Sequence, residues 1–416
     1  MTETPGAVIG TQALVVGGGI AGLATATALA RAGWRVMLAE RRQSFGAAGD
    51  GAALPPQALG AGIQISPNAS KCLKALGALD AVAARAFRPE AACLREGRSG
   101  RIIYRAALGA AAEARWGAPY LHVHRGDLAA ALAEAAGAAG VDLRSGEAVD
   151  HVTAPAEGPV RAQFGETAVE AELLVLADGL GSRLRTALFD EAPRVFTGQT
   201  AWRAVLPVAD LPEAARMAPE ATVWAAPGRH LVTYYLRGGA LLNIVAVEEV
   251  SRWEGEGWTA EGDPARLRAA FSGMHPSVDA LLGAVERCSL WGLFERAMPE
   301  SWHTGRAVLI GDAVHAMLPF MAQGAAMALE DAVVLARSLG APGADLAPAL
   351  STYERQRRPR VERVMRMSRE NGVLFHRGKG LRRSFDHALI GTVSRVAPSL
   401  AAGRLDWLYG HDATRP

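Results

Sequence analysis

Residues 13–40 read ALVVGGGIAGLATATALARAGWRVMLAE. Ala13 to Val16 is an apolar run of strand length. It meets Gly17-Gly18-Gly19-Ile20-Ala21-Gly22, and an Ala/Leu-rich helix follows to Arg31. Gly33 ends that helix, and a second strand from Arg35 to Leu38 stops at Glu40. A G-x-G-x-x-G run between a strand and a helix is the dinucleotide-binding fingerprint. Gly17 makes the tight turn, Gly19 lets a pyrophosphate approach the backbone, and Gly22 lets helix and strand pack closely. Ile20 and Ala21 lie in the same run and count with the binding residues. Glu40, about 20 residues on, is spaced to accept from a ribose 2′-OH, which favours an unphosphorylated ribose as in FAD or NAD. Arg41 follows it.

Two later stretches end in the same way. Residues 307–331 read AVLIGDAVHAMLPFMAQGAAMALED. Val308 to Ile310 is a buried strand that stops at Gly311-Asp312. A carboxylate at such a strand end needs a donor, and a sugar hydroxyl of a bound nucleotide would supply one. Past Pro319, Gln323-Gly324 opens a helix whose free N–H groups, near Gly324 and Ala325, would stabilise an anionic ring. Leu173 to Ala177 is a fully apolar strand running into Asp178-Gly179-Leu180-Gly181-Ser182, with Arg185 behind.

Between these stretches, Ser66 and Pro67 read as the cap and first turn of a helix. Tyr120 to Asp127 reads as a strand ending in Arg125, which could pair with a pyrophosphate, and Asp127 reads as the cap of helix 128–136. His122 and His124 share a strand face. Packing is favoured over a metal pair there, because no third ligand lies nearby. From Phe196 to Val247 the chain is aromatic and β-branched, as in a mostly antiparallel sheet. In one of its strands His230 and Tyr234, four apart, point to the same face. The Arg-rich run after Tyr353 reads as a solvated helix face.

The chain has 416 residues, enough for two or three domains, and Lys+Arg 44 against Asp+Glu 42 gives a net charge of +2 with no basic block for nucleic acid. The three cysteines are scattered, so neither a disulfide framework nor a thiolate metal site is indicated. There is no signal-peptide pattern and no apolar run of membrane-spanning length. The expected setting is cytoplasmic.

On the three motifs together the chain resembles the class A, single-component flavoprotein monooxygenases that hydroxylate aromatic rings, in their salicylate-hydroxylase-like branch. The likeness runs from about Ala13 to Gly372. It implies an α/β fold: a Rossmann-like FAD-binding domain with an inserted, mostly antiparallel β substrate domain and a C-terminal helical segment. The expected bounds are 1–85, 106–190 and 290–340 for the FAD domain, 86–105 and 191–289 for the substrate domain, and 341–416 for the helical segment. The resemblance puts Glu40 on the adenosine ribose, Arg125 against the flavin and Asp178, Gly179 and Ser182 at the motif serving FAD and the nicotinamide donor. It puts Asp312 on the ribityl chain, and Pro319, Gly324 and Ala325 beside the flavin ring.

The implied reaction takes hydride from NADH or NADPH, forms a flavin C4a-hydroperoxide with O2, and hydroxylates a small phenolic or hydroxylated heteroaromatic acid of salicylate, hydroxybenzoate or hydroxynicotinate type. His230 is the candidate base for the phenol, with Tyr234 as its partner in a His-x-x-x-Tyr pair known from hydroxynicotinate-type members. Arg203 and Arg237 are open candidates for a substrate carboxylate. The expected assembly is a monomer or homodimer. The chain departs from the family pattern at Ala316, where Pro usually follows the motif's His, and in a long Arg41–Gly60 loop. Another FAD-dependent reaction on the same fold, an epoxidase or oxidase, is the alternative. An NAD-dependent dehydrogenase would leave Asp178 and Asp312 unexplained, and a non-enzymatic nucleotide-binding module has no need of a helix end at a reactive ring.

Overall fold

The computed structural model describes residues 8–45, 62–155, 158–189, 192–255, 259–378 and 403–415. Most of the long Arg41–Gly60 loop lies outside them. Two sheets organise the chain. The first runs Asp142–Ser145, Val36–Glu40, Val8–Val16, Thr167–Leu176, Ala307–Leu309 and His303–Thr304, parallel except for the last pair. The C-terminal halves of its central strands, residues 13–16 and 173–176, are apolar on both faces and buried, as a parallel sheet covered by helices requires. The register sets Val16 opposite both Leu176 and Ala39, and Leu176 opposite Leu309. The turns that follow these strands therefore leave one sheet edge together. Gly17, Asp178 and Gly311 meet there although they are far apart in the chain.

The second sheet has eight strands, all antiparallel neighbours except Ala91–Glu96 beside Glu220–Ala226. Its edge strands are Thr259–Gly262 and Ile102–Ala107, and with Cys288–Arg296, the strand next to the first of these, the sheet extends past the bounds at 105 and 289 expected from sequence. Hydrogen bonding across to Arg194–Pro207 carries the Cys288 strand on to Arg296. Helices Pro264–Ala270 and Pro276–Gly283 cover one face through Leu267, Val278, Leu281 and Leu282. The opposite face looks back toward the first sheet. A short ribbon, Gly62–Ile65 with Leu121–His124, lies between the two.

Helix Leu346–His376 contradicts one sequence reading. Its Arg-rich run is not wholly solvated: Arg357 is 1 % exposed. It occupies the same stripe as Leu350, Tyr353, Val361 and Val364, which are spaced to face the core. Arg357 Nε donates to Asp331 Oδ1 at 2.7 Å and Nη1 to Glu330 Oε2 at 2.5 Å, while Arg360 adds two bonds to Glu330. Burial would raise the Glu330 carboxyl, but Arg357 and Arg360 hold it down to about 2. Asp331 also accepts from His315 Nε2 at 2.5 Å and from the Gly311 N–H at 3.2 Å. Helix Gly324–Leu339 thus ties the C-terminal helix to the turn that carries Asp312.

Candidate active site

A cavity of about 1010 Å3 lies between the two sheets. Of the sequence-expected residues, Gly19, Ile20, Ala21, Arg125, Gly179, Asp312, Pro319, Gly324, Ala325, His230 and Tyr234 line it. Gly17, Gly22, Glu40, Asp178 and Ser182 are not in that lining, nor is Arg41, which is exposed.

The first turn is shaped for a pyrophosphate. A Cβ on Gly17 would sit 2.5 Å from the Ala177 carbonyl, and one on Gly22 would sit 1.8 Å from the Gly17 carbonyl. Both must be glycine for helix Ile20–Arg31 to pack against the strands. At Gly19 a Cβ would meet nothing within 4 Å, so the space in front of the helix start is open. Glu40 is buried at the end of its strand. It accepts from the Gly18 N–H at 2.6 Å and from Arg42 N and Nε at 2.9 and 3.0 Å. Burial would raise this carboxyl; Arg42 and Gly18 together bring it below its ordinary value. Arg42 Nη2 adds a fourth bond at 3.4 Å, so a carboxylate with about four acceptor positions is filled, and a ribose hydroxyl would take the place of the largely exposed Arg42 side chain.

Asp178 carries an orphan: its Oδ1 is buried with no hydrogen-bond partner. Burial raises its carboxyl, against Ser182, Arg296 and the exposed Arg41. Ser182 also caps helix Arg183–Leu188 by accepting from Arg185 N at 2.9 Å. Arg185 reaches the carbonyls of Ala313 at 3.1 Å and Ala297 at 2.5 Å, which clamps this turn to the Gly311–Asp312 turn. Gly179 has φ +83° and open space where a Cβ would be.

Asp312 exposes its carboxylate to the cavity. Arg125 opens onto the cavity with an exposed side chain; desolvation at the cavity wall lowers its pKa, with Asp312 opposing through its charge. Ala322, at φ +51°, turns the chain so that helix Gly324–Leu339 begins at the cavity wall. Left-handed backbone at a non-glycine residue is costly and marks a constrained turn. An open pyrophosphate cradle, an orphan acceptor and an exposed carboxylate beside a helix start together fit FAD.

The far wall is the free face of the second sheet. His230, Val232 and Tyr234 line it from strand Arg229–Leu236, beside Val245 and Val247. Burial pushes the His230 imidazole well below its ordinary value, helped by His376, and burial raises the Tyr234 phenol. Arg203 lines the same space and stacks on Trp291, its guanidinium carbon 4.4 Å from the ring centre. Burial brings Arg203 down to about 10.

Arg237, the other carboxylate candidate, is not in the cavity lining. It forms a two-point ion pair with Asp127 at 2.8 and 2.9 Å. Asp127 is correspondingly not the helix cap. Helix Arg125–Ala138 starts earlier, and His124 Nδ1 caps it by accepting from Gly126 N at 3.2 Å. His122 is fully buried against Phe87, Tyr120 and Tyr234. Among the described residues, no group of three or more His, Cys, Asp or Glu could hold a metal ion.

Sequence reasoning missed His376. Its Nε2 is 2.6 Å from His230 Nδ1, and its Nδ1 is 2.9 Å from Glu249 Oε1. The available signal was the helix stripe, which continues through Ser368 and Gly372 to His376.

Comparison with known proteins agrees with this geometry. Residues 10–368 match the family described as FAD binding domain. The chain is 38% identical over 405 residues to a 3-amino-4-hydroxybenzoate 2-monooxygenase of Streptomyces platensis, covering 96% of each chain. It is 38% identical over 362 residues to a 6-hydroxynicotinate 3-monooxygenase of Bordetella bronchiseptica, covering 86% of this chain and 90% of the relative. A salicylate hydroxylase solved as a substrate complex superposes with a TM-score of 0.77 at 26% identity, covering 97% of this chain and 96% of the other.

Proposed function

Because the chain belongs to the FAD-binding flavoprotein monooxygenases, we propose that it uses NADH or NADPH and O2 to hydroxylate a small phenolic or hydroxylated heteroaromatic acid. The observation that carries this reading is the shared cavity. One wall has the FAD motifs, and the other has an imidazole, a phenol and a guanidinium. Bound FAD supplies hydride acceptance and O2 activation; the residues of this chain supply binding, orientation and proton handling.

Gly17, Gly19, Ile20, Ala21 and Gly22 hold the pyrophosphate, with Glu40 on the ribose and Arg41 beside it. Arg125 offsets negative charge nearby. Asp178, Gly179 and Ser182 form the second contact, and Asp312 accepts from the ribityl hydroxyls. Pro319 and the N–H groups at Gly324 and Ala325 border the ring, where the helix start stabilises negative charge. His230 takes the substrate's phenolic proton, making the ring electron-rich for oxygen transfer. Tyr234 orients the same oxygen by hydrogen bonding. Arg203 faces the carboxylate. Val232, Val245, Val247, Leu318 and Phe320 keep water from the reacting atoms.

We further propose the domain bounds given from sequence, with the second sheet lengthened as described, a cytoplasmic setting, and a monomer or homodimer. No helix of the described residues is long and apolar enough to cross a membrane. The test is donor oxidation by the purified, FAD-loaded protein with salicylate, 3-amino-4-hydroxybenzoate and 6-hydroxynicotinate. Ligand-stimulated oxidation with a hydroxylated product supports the reading. Protein that takes up no FAD, or that consumes donor without hydroxylating any of them, counts against it.

A further inference from the structure

His230 is 2 % exposed, yet it is the cavity's imidazole, and a base in that position must dispose of a proton. Holding a positive charge where water is excluded is costly. The phenyl rings of Phe320 and Phe375 pack on His230 at 5.2 and 5.1 Å and offer it no counter-charge. Its Nδ1, however, lies 2.6 Å from His376 Nε2, and His376 Nδ1 lies 2.9 Å from Glu249 Oε1. The Glu249 side chain is 54% exposed, whereas His376 is buried. A line of three titratable groups therefore runs from the cavity wall to solvent.

The acceptor at its outer end fixes the direction of every bond. A carboxylate only accepts, so His376 Nδ1 carries the proton and donates it to Glu249. The lone pair of neutral His376 is then on Nε2, which accepts from His230 Nδ1–H. That leaves the lone pair of His230 on Nε2, the nitrogen not taken by His376. The backbone holds this geometry. Gly228 N donates to the His376 carbonyl at 2.9 Å, and Glu249 N donates to the Gly228 carbonyl at 2.9 Å. The hairpin turn, the strand end and the last turn of helix Leu346–His376 are locked together.

We propose that His230, His376 and Glu249 form a proton relay that carries the substrate's phenolic proton from the closed cavity to solvent. The inference rests on the reading of His230 as the base. The phenolic O–H proton moves to His230 Nε2. The His230 Nδ1 proton moves to His376 Nε2, the His376 Nδ1 proton moves to the Glu249 carboxylate, and Glu249 releases it to water. One proton leaves, the substrate becomes the phenolate, and no imidazolium persists in the core. Running the steps backward re-protonates the product oxygen and restores both tautomers. His376 and Glu249 act through His230 and touch no reacting atom; they are positioning residues.

The charged and titratable neighbours are few. Arg229, beside His230, is turned to the carbonyls of Ala270 and Ser272. Glu248 accepts from Trp202 Nε1. Tyr234 shares the strand face with His230. On the helix side, Glu370 and Arg377 line the cavity. Among these neighbours, Glu249 is the carboxylate bonded to the relay.

The experiment uses FAD-loaded enzyme and whichever of salicylate, 3-amino-4-hydroxybenzoate or 6-hydroxynicotinate is turned over. Stopped-flow absorbance follows ionisation of the bound ligand, and a pH indicator follows proton release. His376→Gln keeps hydrogen bonding but cannot relay a proton. It is expected to slow ionisation and proton release at least tenfold, with FAD content and ligand affinity within about threefold of wild type. Added imidazole should restore the rate of His376→Ala. Glu249→Gln, at an exposed position, should slow release and change its pH profile even if the His376 variants fold poorly. Wild-type release rates in both His376→Gln and Glu249→Gln would overturn the relay. Under that outcome, slow ionisation in His230→Gln would leave the base reading standing; unchanged ionisation there too would overturn both.

Discussion

Asp331 accepts from Arg357 Nε at 2.7 Å in a core where neither side chain reaches solvent. The other oxygen of that carboxylate holds His315 and the Gly311 N–H, so a helix-to-helix ion pair sets the turn that presents Asp312 to the cavity. Replacing Arg357 by Met leaves two buried carboxylates short of a partner. The expected cost is about 3–5 kcal/mol, read as a lower Tm, with weaker FAD binding because the Gly311 turn loosens. Arg357→Lys should not rescue it, since one ammonium cannot reproduce the guanidinium fork.

The same cluster sets an acid limit. Glu330 titrates at about 2 in the folded protein, below its ordinary 4.5. A depressed carboxyl pKa contributes stability that is complete above the unfolded value and is lost as pH falls toward the folded one. Stability should therefore drop between about pH 4.5 and 2, by about 3 kcal/mol from this group. Denaturant titrations across that window check it. A flat stability curve would contradict the assignment.

Two glycines should separate folding from cofactor binding. At Gly22 a Cβ would lie 1.8 Å from the Gly17 carbonyl, so Gly22→Ala should displace the helix and lower both Tm and FAD content. At Gly19 a Cβ meets no protein atom within 4 Å. Gly19→Ala should keep the Tm of the FAD-free protein and lose about tenfold or more in FAD affinity, because the methyl occupies pyrophosphate space. Fluorescence titration with FAD and thermal unfolding distinguish the two.

His230 is held neutral to well below pH 6.5. A base works in its deprotonated form, so its limb of the kcat profile should lie on the acid side of 6.5, with activity flat above. His230→Gln should lower kcat by about 10²–10⁴-fold and remove that limb. An unchanged profile would assign the base elsewhere.

Arg203 is expected to discriminate by charge. Arg203→Ala should raise KM for a carboxylate-bearing substrate by about 10–100-fold, the worth of a charged hydrogen bond. It should change KM little for the same phenol lacking the carboxylate. An equal loss for both would make Arg203 a packing residue against Trp291.

The nucleotide wall was legible because each of its motifs is local. Gly17, Gly19 and Gly22 lie within one turn, and Asp178 and Gly311-Asp312 each follow an apolar strand. The parallel register then brings those strand ends together. The partners of those motifs were not legible. Arg357 finds Asp331, and His376 finds His230, only after helix 346–376 folds back across both sheets. The charge of Arg357 also hid its place on an otherwise apolar helical stripe. Arg237, a sequence candidate for the substrate carboxylate, pairs instead with Asp127, and His124 rather than Asp127 makes the helix cap, because neither partner is visible from local spacing.

The central claim is oxygen transfer to a phenolic acid in the cavity between the sheets. The most direct measurement is the product mass when the FAD-loaded enzyme turns over 3-amino-4-hydroxybenzoate, 6-hydroxynicotinate or salicylate with a nicotinamide donor under heavy-isotope O2. The account expects one labelled oxygen in the product ring and donor consumption matched to product. Unlabelled ligand recovered with all three compounds, while the donor's electrons appear only as hydrogen peroxide, would contradict it.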